Sequence, residues 1–206
     1  MKHSAVFRFV GISMLTALVV VLQVLGGSIT FGSFSITLVL IPVVIGAALF
    51  GAKVGAFLGG VFGLIVYINC ANGTDLGGSM VFAANPYLCA LVCIGKGILS
   101  GFAAGLTYRG IYGFLTKGDQ NYDQRTARSY LAVFAAAIVA PVVNTGTFIV
   151  GMLLFFRGTL DAWAAGSSVL SYIIFGLTGI NFLIELGVNL VCAPAITTII
   201  KTVRKT

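Results

Sequence analysis

ITLVLIPVVIGAALFGAKVGAFLGGVFGLIV, residues Ile36 to Val66, carries one charge, Lys53, in a run of otherwise apolar or small residues. It lacks the strict apolar–polar alternation that a lipid-facing β-strand would need. The stretch therefore reads as two apolar helices, Ile36–Phe50 and Val54–Ile68, turning tightly at Gly51–Lys53. Each is roughly 15 residues, short for about 30 Å of hydrocarbon, and would rely on local thinning or on burial against longer neighbours. Gly51, Gly55, Gly59 and Gly63 recur every fourth residue through the turn and the second helix. Such a stripe lets another backbone approach closely, which drives helix association where lipid is as apolar as leucine. Two partners fit it: a helix of the same chain, or a second membrane subunit.

The rest of the chain has the same character. Of its 206 residues, 59% are hydrophobic and 8% charged, and the mean hydropathy is +1.09. A soluble domain needs far more charge. Besides the hairpin, apolar spans run over Phe7–Leu25, Tyr87–Leu115, Ser129–Phe156 and Tyr172–Ile200. The expectation is an all-α integral membrane protein, a single six-helix bundle over residues 1–206 without a soluble domain. With both termini inside, every one of the 12 Lys and Arg except Arg157 and Lys96 falls on the cytoplasmic side, as the positive-inside rule requires. The net charge of +7 is then a topology signal. Because the cations are split among small loops, nucleic acid is not an expected partner. The N-terminal apolar run is longer than a usual signal-peptide core and no A-x-A site follows, so it is kept as helix 1 of a multi-pass cell-membrane protein.

Lys96 interrupts helix 4 about nine residues from its outer end, roughly 13 Å deep, too far to snorkel comfortably. Asn144 in PVVNTG of helix 5 sits roughly 18 Å deep, and Asn181, Glu185 and Asn189 lie four apart on one face of helix 6. Each buried ion costs at least about 2.5–3.5 kcal/mol, so such groups face one another or a wet cavity. One reading is a Lys96–Glu185 ion pair completed by Asn144. The other is a polar pocket open to the outside, with Lys96 facing an anionic or carbonyl group of a ligand. Asn85 and Phe34, from the charge-poor, Gly-rich outer connections, are further ligand candidates. Trp163, the only tryptophan, is an interfacial anchor or a cover over the ligand.

Catalytic signatures are missing. The single histidine, His3, is terminal, and neither a Walker A, an H-E-x-x-H nor a G-x-S-x-G motif occurs. Cys70, Cys89, Cys93 and Cys192 contain no C-x-x-C pair, so no metal or cofactor is expected and the thiols read as small packing residues. Cys70 and Cys89 could meet at the outer surface.

Three stretches carry a family resemblance. Ile36–Val66, PVVNTGTFIVG (Pro141–Gly151) and IELGVNLVCAPAI (Ile184–Ile196) resemble helices 2–3, 5 and 6 of the S components of energy-coupling factor (ECF) vitamin transporters, in order and spacing. The resemblance implies capture of a water-soluble vitamin or precursor from outside, by helices 4 to 6 and the outer loops. It also implies a transmembrane coupling subunit and two cytoplasmic ATPases, which alone use ATP. The helix 2–3 sequence is most like the pantothenate and riboflavin branches, pantothenate first. Family members often dock the coupling subunit through A-x-x-x-A in helix 1. Here SMLTA, Ser13 to Ala17, is small at both ends without two alanines, and Gly55, Gly59 and Gly63 could share the task. A competing reading is a self-sufficient secondary transporter with Glu185 as its proton site. A third is a structural or regulatory membrane protein.

Overall fold

A computed structural model describes residues 5–26, 30–31, 34–35, 38–116, 122–164, 168–173 and 179–205. Among them, α1 (Ala5–Gly26) leads through the two-residue strands β1 (Thr30–Phe31) and β2 (Phe34–Ser35) to α2 (Leu40–Phe50) and α3 (Ala52–Ala71). Then follow α4 (Leu76–Ala84), α5 (Pro86–Thr116), α6 (Tyr122–Phe155), α7 (Arg157–Ala164), α8 (Val169–Ser171) and α9 (Gly179–Lys205). Among the described residues, five helices, α1, α3, α5, α6 and α9, are long and apolar enough to cross a membrane.

The hairpin differs from expectation in one half. Gly51 alone makes the turn, with φ +99°, a left-handed conformation that glycine adopts without steric cost. Ala52 and Lys53 already belong to α3, and Asn69–Ala71 extend it past the apolar run, giving 20 residues and a full span of about 30 Å. Only α2 is short, 11 residues and about 16 Å. It persists by burial: of Leu40 to Ala48 every residue but Ile41 is buried, the environment of a helix that is apolar all round.

The glycine stripe has its partner inside the chain. A Cβ on Gly59 would fall on the Gly97 carbonyl, one on Gly55 on the Gly101 carbonyl, and one on Gly63 on the Cys93 carbonyl. Gly97 and Gly101 meet α3 in the same way from the other side. The faces of α3 and α5 are thus in backbone contact. This corrects the expectation that Gly55, Gly59 and Gly63 present a docking surface, since α5 occupies it. The alanines of α6, Ala132, Ala136, Ala137 and Ala140, are buried in a cluster with residues of α2 and α9 in the half of the core farther from α4. The half near α4 and α7 holds Leu58, Phe62, Val66, Met152, Phe156 and Leu160. Pro141 has no N–H for the Ala137 carbonyl. One residue earlier, the Ala140 carbonyl accepts from the Ser100 hydroxyl of α5 at 2.7 Å.

Among the short helices, α4, α7 and the three-residue α8 lie outside the expected spans. α4 forms in the Gly-rich connection before Pro86, with Asp75 as N-cap, and α7 forms between the expected spans Ser129–Phe156 and Tyr172–Ile200. Trp163 lies on α7, partly buried and packed against the apolar core.

Candidate functional site

The polar groups sit on three packed helices, α5 against α6 and α6 against α9. Lys96 lies ten residues inside α5, about 15 Å from its start. Its ammonium stands 5.0 Å from the ring centroid of Phe148 and 5.9 Å from that of Phe62. Both are cation–π distances, worth more where water is excluded. Beside it is a small cavity of about 20 Å³, lined among others by Asp75, Cys70, Cys89, Cys93, Lys96 and Phe148. Glu185 and Asn144 are not part of that lining.

Asn144, Glu185 and Asn189 are all buried, and Asn181 is half-buried. The Asn189 amide donates to the Glu185 backbone carbonyl at 2.8 Å. The side-chain oxygens of Asn144 and Asn189 have no hydrogen-bond donor among the described residues. A dry, unpaired amide oxygen costs about 1–3 kcal/mol, so these oxygens mark places where an outside donor, water or ligand, is favoured.

Two candidates have other employment or fall outside the described side chains. The Asn85 side-chain oxygen accepts from the backbone N–H of Tyr87 and Leu88, both at 3.1 Å, so it caps the start of α5. Phe34 belongs to β2, and its side chain lies outside the described residues. Ser13 and Ala17 are exposed on α1. They line a groove of about 470 Å³ with Phe9, Ile12, Thr16, Val20 and Phe57.

Asp75 is the residue that sequence reading passed over. It accepts from the Gly78 N–H at 3.3 Å and is buried. Burial pushes its carboxyl above the ordinary value, while the Gly78 N–H and the Lys96 ammonium pull the other way. The signal was present: an aspartate before an apolar run is an N-cap pattern, and it is the only charge between Asn69 and Pro86.

The model of one family, ECF transporter, substrate-specific component, matches residues 7–197. The chain belongs to that family. None of the curated proteins compared with it matches. S components are substrate-binding subunits of transporters that work with a transmembrane coupling subunit and ATPases, and theirs is not an enzyme family. As an S component, the chain is a multi-pass membrane protein.

Proposed function

We propose that this S component captures a water-soluble vitamin or precursor from outside, pantothenate ahead of riboflavin, and hands it inward through a coupling subunit and two ATPases. In this reading α2 completes a six-helix bundle, both termini are cytoplasmic, and α4 and α7 face outward. The observation that carries it is the half-buried Lys96 ammonium, held among aromatic rings on α5 while buried amide oxygens on α6 and α9 lack donors. A carboxylate matches the lysine, and hydroxyl and amide N–H groups match Asn144 and Asn189. Pantothenate carries all three.

The cavity beside Lys96, about 20 Å³, is far below the roughly 300 Å³ or more of a small-molecule site. In this reading, binding enlarges the space between Lys96 and the buried amides of α6 and α9 by helix movement on the side away from α4. Family membership favours ATP-driven import, so Glu185 needs no role as a proton site.

The test is titration of the purified chain, alone in detergent, with pantothenate and with riboflavin, following Trp163 fluorescence and heat. Saturable one-to-one binding without any ion gradient supports the proposal. No binding of either vitamin, together with pH-driven uptake by this chain alone in proteoliposomes, would overturn it.

A further inference from the structure

Cys70, at the end of α3, and Cys89 and Cys93, one turn apart on α5, form a cluster the transport reading does not use. Their sulfur atoms all lie within 4.8 Å of one another, with Cys89 and Cys93 at 4.0 Å. Exposure is 1% for Cys70 and Cys89 and 5% for Cys93. A tetrahedral ion with metal–sulfur bonds of about 2.3 Å spaces its sulfurs about 3.8 Å apart. From separations of at most 4.8 Å, ligation asks for pairwise shifts of about 1 Å or less.

Asp75 lines the same cavity but lies outside the group of sulfurs within 4.8 Å of one another, and it reaches an ion there by moving towards it. The Asp75 Oδ1 is engaged in capping α4, while Oδ2 and the Cys70 sulfur crowd the same edge of Gly78. All four side chains line the cavity of about 20 Å³, room for about one water or one ion. Thiolates with a carboxylate leave surplus negative charge around a divalent ion, and the Lys96 ammonium lining the same cavity offsets part of it. Soft sulfur donors in this number select zinc or another thiophilic metal over magnesium or calcium.

We propose that Cys70, Cys89, Cys93 and Asp75 form a site for one thiophilic divalent cation, zinc by its chemistry. The ion would tie the end of α3 to α5 and to the cap of α4. Binding replaces thiol protons by metal, so affinity rises with pH. The site does not depend on which vitamin the chain carries, and its test reads metal alone.

The experiment uses the full chain, purified without a histidine tag, reduced with a phosphine and freed of metal. Cobalt(II) is titrated in while the thiolate-to-metal charge-transfer absorption is recorded, and zinc is then added in competition. The expected result is a band saturating at one cobalt per chain and removed by zinc. Cys70→Ser and Cys93→Ser should each lose it, Asp75→Asn should weaken binding by about tenfold or more, and Cys192→Ser should leave it intact. In the wild-type chain, zinc should slow thiol alkylation of Cys70, Cys89 and Cys93, a readout that needs no variant to fold. The proposal is overturned by the absence of a band from a folded chain with its thiols reduced. It is equally overturned by a band that survives both serine variants, or by a disulfide among the three cysteines in chain never exposed to reductant.

Discussion

Lys96 and Asp75 line one small cavity of the core near α4, and each has a measurable consequence. Lys96→Ala should weaken vitamin binding by at least about 1.5 kcal/mol, the lower range for a hydrogen bond to a charged group. Calorimetry on a folded variant checks this, and unchanged affinity would remove Lys96 from the ligand contacts. Asp75 predicts a pH dependence. Because burial raises its carboxyl above the ordinary 3.8, the folded chain keeps a proton where the unfolded chain has lost it. The stabilisation is full below the ordinary value and is lost as pH rises through the raised folded one. Asp75→Asn cannot titrate, so in metal-free detergent solution its melting temperature should vary less with pH than the wild type's, from about pH 4 upward. Parallel pH profiles for the two proteins would refute the assignment.

At the scale of elements, the α3–α5 contact is the one the fold can least change. Carbonyls of each helix occupy the space where the other would place a Cβ, and those atoms are backbone that cannot rotate away. Gly59→Leu or Gly97→Leu should therefore destabilise the chain by about 3 kcal/mol or more, the upper range for overpacking. Binding and uptake should fall together, read by thermal melting and vitamin titration. Loss of uptake with intact binding would instead return the stripe to partner docking. Gly95 and Gly110 on α5 face open space where a Cβ would stand, so alanine there should be tolerated, within about 1 kcal/mol of neutral.

For the whole molecule, the groove on α1 is the surface we propose for docking the coupling subunit. Ser13 and Ala17 line it with apolar neighbours, and small residues there admit a helix from another subunit closely. Ala17→Trp should cut uptake in the assembled transporter by about tenfold or more, equivalent to about 1.4 kcal/mol, while vitamin binding by the isolated chain is unchanged. Equal loss of both would place Ala17 in folding instead of docking.

Much of this was legible without coordinates. Continuous apolar runs without strict alternation, together with few charges, determined a helical membrane protein, because a bilayer admits only helices and closed barrels and a barrel strand would alternate. Intramembrane Lys96, Asn144 and Glu185 stood out for the same reason, since hydrocarbon makes each costly. The quoted stretches around the hairpin, Asn144 and Glu185 carried the family. Tertiary structure alone decided how faces paired. The four-residue glycine period was equally suited to an internal or an external partner, and only the placement of α5 showed which. Cys70 is separated in sequence from Cys89 and Cys93, and no local spacing rule joins residues that meet only when α3 packs along α5. Asp75 shares their cavity because α4 folds back over that contact. Periodicity and transfer energy are local properties of a chain; convergence of distant side chains depends on which helices touch.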